Sequence, residues 1–519
     1  MNKSSILASV FIFPFLGILV PFLLASQITN IEYTPNLILS SIVILYSSFK
    51  LMLFGFKGTK RIIDLAFWLF VYVFLGLASF TQLLTGKFPW VGSSYREFEI
   101  FYAYLITIVG LISYDLGQVL TRKKLKKQDA EIDLEEDTEK GGLFTLTLSR
   151  FYALSLISTI LVLFVGLTKL HGNFFISRGE FTGLFGNTTQ LLLYSSLFRT
   201  PAFVALIIGL VIVFDGRRLI AKSRSFFYPT LFLVFILNVL ANNPIANARF
   251  WFGTVALAIF FVIFKWRSMS FAIWVNAFIF ILIIVFPYSD LFRHSVDSQI
   301  VAVKTYKQLS ENGDYDAFQQ IINTVRYTSY FHLAFGAQFV GAALFFVPRS
   351  LWPGKPEGTG AVIANGIGYD YTNLSAPFWS ECFINFGMIG VILIFFLYGA
   401  AVERIQHVYI HRNKTRKNIT LLNIFVPFFA AYQFYFLRGD LLNATANLTC
   451  FIIFALLGSK LNKQYLVKYQ GRKRTLREPV KETPKMFDPS LPIDTLTTNE
   501  EQEKTQDKQQ EETKELVHV

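Results

Sequence analysis

The sequence predicts an all-α polytopic membrane protein with about twelve transmembrane helices and a large extracytoplasmic loop between the ninth and the tenth. Of its 519 residues, 53% are hydrophobic and only 16% are charged, whereas soluble domains average about 25% charged residues. Apolar segments of nearly twenty residues recur along most of the chain, and about 20 such residues cross a bilayer. This composition excludes a soluble enzyme with an ordinary charged surface.

The predicted spans are apolar runs separated by charged or turn-forming segments. The first run is too long, and too poorly followed by a small-residue cleavage site, for a removed signal peptide. The spans cover residues 5–25, 36–55, 63–85, 98–120, 146–168, 197–215, 226–242, 248–264, 269–288, 382–403, 419–437 and 440–458. They divide the chain into helices one to nine within 1–288, an outer loop at 289–381, helices ten to twelve within 382–458 and a tail at 459–519.

Basic residues predict the orientation of these spans. Most of the 48 Lys and Arg residues fall on the side that holds the N-terminus, including the short loops 50–61 and 404–417. Because short loops rich in Lys and Arg stay in the cytoplasm, both termini are predicted to be cytoplasmic. The formal net charge of +13 is therefore explained by membrane topology and by contact with membrane lipids, and we predict no nucleic-acid partner.

The tail that begins at residue 459 is predicted to be mostly disordered and dispensable for chemistry. Its first part, 460–485, is basic and suits contact with anionic lipid headgroups. Residues 499–514 are polar, acidic and rich in Gln, a composition that cannot bury a core. Residues 122–140, which are basic and then acidic, are interpreted as a solvated linker on the cytoplasmic side.

The outer loop at 289–381 is the longest segment between predicted spans. It contains an apolar stretch at 332–347, which we interpret as re-entrant or interfacial. If this stretch crossed the membrane, the basic loop 404–417 and the basic tail would both move to the outer side, against the charge rule. Long ordered loops in compact structures are usually functional. The functional end of the protein is therefore predicted to be extracytoplasmic.

Two arginines stand at the outer ends of predicted helices. Arg199 precedes Pro201 at the start of the sixth span, and Arg249 follows a break rich in Asn between the seventh and eighth spans. Helix N-termini attract anions, and an Arg side chain adds a planar fork of donors that suits phosphate. We predict that both arginines bind a phosphate or pyrophosphate at membrane level. The alternative for each is an interfacial side chain that extends to the lipid headgroups.

A proline-rich turn in the outer loop supplies further candidates. Residues 345–356 contain three prolines and one glycine, which hold Arg349 and Lys355 beside the apolar stretch. Lys355 is predicted to bind pyrophosphate together with Arg199 and Arg249. Aromatic residues suit the apolar faces of sugar rings, although an aromatic belt at the membrane interface is an equal alternative. The candidate sugar-binding residues are Trp352, Tyr369 and Trp379.

Candidate general bases on the outer side are few. Glu381 is the first candidate and His332 the second, and Asp440 is a further carboxylate beside Arg438. A carboxylate or imidazole at such a position can take the proton of a sugar hydroxyl. The alternatives are a charge that stabilises the start of a helix for Glu381 and a structural role for His332.

Metal and redox motifs are weak in this sequence. Asp314 and Asp316 match the D-x-D pattern of metal-dependent sugar transferases, but the surrounding residues favour a helix N-cap region. Cys382 and Cys450 fall at or inside apolar segments and have neither a disulfide framework nor metal-ligand spacing. We therefore predict no metal and no cofactor.

Three stretches of the chain resemble the bacterial O-antigen and exopolysaccharide repeat-unit polymerases of the Wzy type. These stretches are PRSLWPGKP at 348–356, SAPFWSE at 375–381 and NFGMIG at 385–390. Arg438, Gly439 and Asp440 before the last span are also similar to this family. The motifs place Arg349, Lys355, Glu381 and Arg438 in matching positions. With His332 added on chemical grounds, the candidate catalytic residues are Glu381, His332, Arg349 and Arg438.

The resemblance implies a membrane glycosyltransferase of glycosyltransferase C-like architecture at the outer face of the bacterial plasma membrane. Its expected substrates are oligosaccharide repeat units linked to undecaprenyl pyrophosphate. It would join them into O-antigen, capsule or exopolysaccharide by a metal-independent, inverting transfer. The resemblance also suggests a chain-length regulator as a protein partner.

Two other functions are compatible with the sequence. A ligase that moves finished polysaccharide to another acceptor needs the same residues for pyrophosphate. A flippase or exporter of lipid-linked sugars suits twelve spans. Transporters, however, place their sites near the bilayer midplane between structural repeats, whereas the candidate residues here gather on the outer side.

Overall fold

The computed structural model of the protein covers most of the chain. The described residues are 10–57, 61–90, 94–131, 142–185, 188–214, 224–264, 268–281, 283, 304–412 and 419–462. Nearly all of the predicted tail, residues 132–140 of the predicted linker and the beginning of the outer loop lie outside them.

The described residues are mostly helical and contain almost no sheet, which confirms the all-α prediction at that level. In chain order the helices are α1 (Val10–Ala25), α2 (Leu37–Lys57), α3 (Ile62–Thr85), α4 (Glu97–Glu131), α5 (Leu148–Thr168), α6 (Arg178–Gly183), α7 (Thr188–Phe214), α8 (Arg224–Ala241), α9 (Arg249–Ile263), α10 (Ser268–Phe280), α11 (Thr305–Glu311), α12 (Ala317–Tyr330), α13 (Ala337–Ala343), α14 (Thr359–Ile367), α15 (Phe378–His407), α16 (Leu422–Arg438) and α17 (Leu441–Leu457).

Six of the described helices are long and apolar enough to cross a membrane, judged by length and composition. They are α2, α3, α4, α5, α7 and α15, and the shorter apolar helices are α1, α8, α9 and α17. The protein is therefore a helical membrane protein. A helix lies within each of the twelve predicted segments, whereas the number of membrane crossings stays a prediction.

A small sheet lies at the end of the bundle that the charge pattern predicts to be cytoplasmic. Strands β1 (Phe144–Leu146) and β2 (Ser459–Leu461) pair in antiparallel register, with Phe144 opposite Leu461. Thr145 also bridges to Thr420. These backbone contacts tie the segment after α17 to the start of α5.

The centre of the bundle is α3, whose apolar window is completely buried. Beside it, α4 and α15 approach each other closely at glycines. A Cβ atom on Gly117 would lie 2.1 Å from the Phe396 carbonyl oxygen, and one on Gly399 would lie 2.0 Å from that of Tyr114. Small residues allow membrane helices to approach at backbone distance. This close packing fixes the position of α15, which carries Glu381 in its first turn.

The described part of the outer loop folds against the other end of the bundle, which we call the outer end. Gln82 near the end of α3 donates to the Tyr315 carbonyl oxygen at 2.9 Å. The Glu99 carboxylate at the start of α4 forms a 2.7 Å ion pair with Arg326 of α12. These contacts attach α12 to the outer ends of α3 and α4, so this part of the loop has a defined position.

The apolar stretch at 332–347 contains a short helix, α13, of 7 residues. At 1.5 Å per residue such a helix is about 10 Å long, whereas the hydrocarbon core of a bilayer is about 30 Å thick. This helix is therefore too short to cross a membrane by itself, whereas the re-entrant or interfacial position of the stretch stays a prediction. Helix α13 packs against α17 and α15.

Helix α15 is interrupted at Gly387, where the backbone has φ 62° and ψ −155°. The outer loop docks on the turn before this break: the Ala334 N–H donates to the Ile384 carbonyl oxygen at 2.8 Å. The Gln338 N–H donates to the Asn385 side-chain oxygen at 3.2 Å. The break thus separates a short outer segment, which carries Glu381, from the long remainder of the helix.

We expect Gly387→Ala to destabilise the protein by about 1–3 kcal/mol, because this backbone conformation is nearly restricted to glycine. The expected cost comes from backbone strain and not from a steric clash. The nearest atom to an added Cβ would be in Leu333 at 3.5 Å, which is an ordinary contact distance. The measurement is thermal unfolding of the detergent-purified protein. The matched control is Gly253→Ala in α9, where a Cβ meets nothing within 4 Å. Equal unfolding temperatures for the two variants would contradict this prediction.

Candidate functional site

Three arginines from different helices converge on the first turn of α9, and we call them the arginine cluster. Arg249 is the first residue of this helix. The guanidinium of Arg199 lies 4.6 Å from the centre of the Trp251 ring. The guanidinium of Arg438 lies 4.8 Å from the centre of the Phe250 ring. The structure therefore brings together the two arginines predicted to bind pyrophosphate and adds the candidate catalytic arginine.

Arg199 is held by neutral partners. Its Nη2 donates to Asn447 Oδ1 at 2.9 Å, and its Nη1 donates to Asn247 Oδ1 at 3.3 Å. Its Nε is buried and has no hydrogen-bond partner among the described residues, and no described carboxylate forms an ion pair with it. Buried charges are normally paired. An unbalanced guanidinium with an unused donor is therefore suited to an anionic ligand.

The Asn-rich segment before α9 builds this environment. Asn242 accepts from the Trp251 indole N–H at 2.7 Å and donates to the Arg199 carbonyl oxygen at 3.0 Å. The side chain of Asn243 accepts from two backbone N–H groups of the following turn. Asn247 donates to two backbone carbonyls that precede it. The asparagine side chains here replace the backbone hydrogen bonds of a helix. The Asn-rich segment therefore ends α8 and also orients Arg199.

Arg249 and Arg438, in contrast, have carboxylate partners from the outer loop. Arg249 forms an ion pair of 2.8 Å with Asp314. Arg438 forms an ion pair of 2.9 Å with Asp316 and donates to the Asp314 carbonyl oxygen at 2.8 Å. An anionic ligand at these two arginines therefore has to share them with the loop carboxylates or displace those carboxylates. Arg199 differs because it starts without such a competitor.

The structure gives the D-x-D motif a defined role. Asn312 caps the short turn that follows it by accepting from the Asp314 N–H at 2.9 Å, as the N-cap interpretation predicts. Asp316 is completely buried, and accepts from Ser375 Oγ at 2.7 Å and from the Trp90 indole N–H at 2.8 Å. Both carboxylates point to arginines, so the motif positions the outer loop on the arginine cluster.

Two carboxylates, Glu381 and Asp440, lie between the N-termini of α14 and α17. Glu381 is buried, and its two oxygens accept from Thr359 Oγ1 at 2.7 Å and from the Leu441 N–H at 2.9 Å. Asp440 accepts from the Gly360 N–H at 3.3 Å and from a backbone N–H in the first turn of α17 at 2.9 Å. The groups that donate to Glu381 and Asp440 belong to neighbouring residues at the start of α14 and again at the start of α17. The two carboxylates therefore lie beside each other, and we call them the carboxylate pair.

The carboxylate pair has the properties of a proton acceptor site. Neighbouring carboxyl groups disfavour double ionisation, so such a pair can hold one proton between them. Asp440 is separated from Arg438 only by Gly439. The pair therefore adjoins the arginine cluster.

The other basic candidates are engaged in the proline-rich turn. The buried Lys355 ammonium donates to the carbonyl oxygens of Phe345 at 2.6 Å and Val347 at 2.9 Å. Burial, together with the nearby Arg349, lowers the pKa of Lys355. Arg349 is exposed and donates to the Lys355 carbonyl oxygen at 2.7 Å. Both side chains thus stabilise the turn, which argues against Lys355 as a primary pyrophosphate ligand.

The remaining candidates differ in their accessibility. His332 is exposed in the segment after α12, and Trp352 is half-buried. Tyr369 is half-buried, and its hydroxyl lies 3.3 Å from that of Tyr95. The prediction of Trp379 as a sugar-binding residue is wrong, because its ring is completely buried against Phe395 and its indole N–H donates to a carbonyl of α4.

Several residues of this site are not among the candidates that the sequence predicts. Asn447 lies inside the last predicted span, and a polar side chain at membrane depth is a usable signal. Asp314 and Asp316 were recognised as a motif, but nothing in the sequence pairs them with arginines more than sixty positions away. Trp90 lies in a short outer loop that contains no recognised motif.

Comparison with known proteins identifies no relative. No family model, no curated protein and no solved structure matches this chain.

Proposed function

We propose that this protein polymerises oligosaccharide repeat units linked to undecaprenyl pyrophosphate at the outer face of a bacterial plasma membrane. The observation that carries the proposal is Arg199, a half-buried arginine whose guanidinium has amide partners and a spare, buried Nε donor instead of a carboxylate partner. A diphosphate supplies the missing negative charge and several acceptor oxygens. Arginine forks bind such oxygens with good geometry.

The proposed reaction is an inverting glycosyl transfer. A hydroxyl oxygen of the acceptor sugar attacks the anomeric carbon of the donor, and the bond from that carbon to the phosphate oxygen breaks. The diphosphate leaves with the electron pair, and the arginine cluster stabilises the charge that develops on it. The hydroxyl proton passes to the carboxylate pair, with Glu381 as the primary acceptor. The donor's own diphosphate linkage supplies the driving force.

The arrangement of the helices supports this placement. In the proposed topology the chain crosses the membrane twelve times, and both termini are cytoplasmic. The ends of α9 and α16 that carry Arg249 and Arg438 face outward, and Arg199 lies in the outer half of α7. The diphosphate of an undecaprenyl lipid lies at the same membrane level. A chain-length regulator is the proposed protein partner.

The position of the polar residues favours a transferase over a transporter. Arg249 and Arg438 of the arginine cluster and both members of the carboxylate pair lie at helix ends, whereas Arg199 lies inside α7, shortly before Pro201. A transporter site is expected near the middle of the bundle. A ligase would use the same arginine cluster but would transfer the glycan to a different acceptor. The reaction product therefore distinguishes a ligase from a polymerase.

The test is a gel of surface glycans from cells that lack this gene. Accumulation of single repeat units on their final acceptor, without a ladder, supports a polymerase. A normal ladder that stays on the lipid carrier indicates a ligase. Absence of any repeat unit from the outer side indicates a transporter and contradicts the proposed chemistry.

A further inference from the structure

Four aromatic residues form a second feature at the outer end, and we call them the aromatic platform: Trp90, Tyr95, Tyr369 and Tyr371. The rings of Trp90 and Tyr371 stack, with centres 5.2 Å apart and planes at 23°. The hydroxyls of Tyr95 and Tyr369 lie 3.3 Å apart. Tyr371 is 40% exposed, and the other three rings are half-buried. The platform is therefore accessible from the outer side.

Buried amide side chains of α12 hold this platform in place. Gln319 donates to the Trp90 carbonyl oxygen and to the Tyr95 hydroxyl, both at 2.9 Å. Asn323 accepts from the Tyr95 hydroxyl at 2.7 Å. Because both amides are completely buried, the groups left for a ligand are the aromatic rings with their hydroxyls, which offer both apolar faces and directional hydrogen bonds. Sugars need this combination because their rings have apolar C–H faces and hydroxyl edges.

A single side chain, that of Asp316, connects the aromatic platform to the arginine cluster. The Trp90 indole N–H donates to Asp316 at 2.8 Å, and Asp316 pairs with Arg438 at 2.9 Å. In a lipid-linked repeat unit the first sugar is bonded directly to the diphosphate. A diphosphate on the arginine cluster therefore places its attached sugars within reach of Trp90.

We infer that the aromatic platform binds sugar rings of the oligosaccharide whose diphosphate lies on the arginine cluster. The inference rests on the proposed function for the identity of the ligand. A contact with lipid headgroups is the rival explanation for outer aromatic residues. It fits Phe335 and Tyr330, which are 78% and 67% exposed, better than rings that are tied to the amides of α12 and to Asp316.

The experiment measures binding to the full-length protein in detergent with two probes. One is a set of oligosaccharides obtained by mild hydrolysis of the surface glycan of the producing cells, and the other is inorganic pyrophosphate. The test variant is Tyr371→Ala, because this side chain is the most exposed of the four and its loss leaves the buried bonds of Asp316 intact. The matched control is Tyr330→Ala, which removes an exposed outer tyrosine outside the platform.

We expect Tyr371→Ala to weaken oligosaccharide binding about tenfold, equivalent to about 1.4 kcal/mol, without changing pyrophosphate binding. Tyr330→Ala should bind both probes like the wild type. Equal oligosaccharide affinity of the wild type and Tyr371→Ala would overturn the inference. So would a wild-type protein that binds pyrophosphate but no oligosaccharide, and this result would leave the proposed function standing. Failure of the wild type to bind either probe would contradict both.

Discussion

Arg199→Ala is expected to abolish polymer formation while leaving the protein in the membrane at its normal level. The variant removes the one member of the arginine cluster that has no described carboxylate partner. Loss of a preorganised donor to a developing negative charge lowers the rate by about 100-fold to 1,000-fold. The fold should tolerate the change, because the lost side-chain bonds join Arg199 only to neutral amides. The measurement is the glycan ladder, with membrane abundance determined in parallel.

The matched control for this prediction is Lys87→Ala. Lys87 is also a basic residue of the outer side, but it is exposed and forms a surface ion pair with Glu311 at 3.2 Å. Surface pairs of this kind contribute about 0–1 kcal/mol. The control variant should therefore keep a normal ladder, which separates a specific role of Arg199 from a general effect of outer positive charge.

A second variant tests the charge balance around Arg199 while keeping this arginine in place. Asn447→Asp places a carboxylate where the amide oxygen now accepts from Arg199 at 2.9 Å. This carboxylate would give Arg199 an internal counter-ion that competes with a diphosphate, so we expect polymerisation to fall. Long polymer in both Arg199→Ala and Asn447→Asp would refute the role of Arg199 in binding the diphosphate.

The fold was largely predictable because a lipid environment demands long apolar helices. The predicted span 36–55 corresponds to α2 and the predicted span 63–85 to α3, with ends that differ by at most two residues. The start of α15 was harder to place. It begins at Phe378, four residues before the predicted span, because Pro377 occupies its N-cap. Glu381 consequently lies in the first turn of this helix, whereas the predicted boundary of the outer loop was drawn after it.

The candidate site was only partly predictable. The Asn-rich break identified Arg249, which begins α9, since breaks of this kind have local sequence signals. The prediction that Arg199 stands at the start of a helix is wrong, because α7 begins at Thr188 and Pro201 lies inside it. The ion pairs of Arg249 with Asp314 and of Arg438 with Asp316 depend on how the outer loop folds back, which has no local signal. Trp379 shows the same limit, because the sequence around an aromatic residue near a membrane boundary does not indicate whether its ring faces a ligand or the core.

Glu381→Gln is expected to reduce the rate of chain extension about 100-fold to 10,000-fold, the contribution of a positioned general base. Glutamine has the same shape and keeps an oxygen that can accept from the Leu441 N–H, now at 2.9 Å from the carboxylate. It cannot take up a proton, so the chemical step should slow while the buried site keeps its structure. The measurement is polymer synthesis by purified protein from lipid-linked repeat units.

Two further variants decide whether Glu381 itself accepts the proton. Asp440→Asn retains a good helix N-cap for α17 but removes the second carboxylate, so a much larger loss in this variant than in Glu381→Gln would assign the proton to Asp440. Glu403→Gln removes a buried carboxylate at the other end of α15, where it pairs with Arg61 and with Arg122. That change should lower stability without changing the activity of each folded molecule. Equal losses in Glu381→Gln and Glu403→Gln, once corrected for folded protein, would mean that Glu381 supports the structure and that the base lies elsewhere.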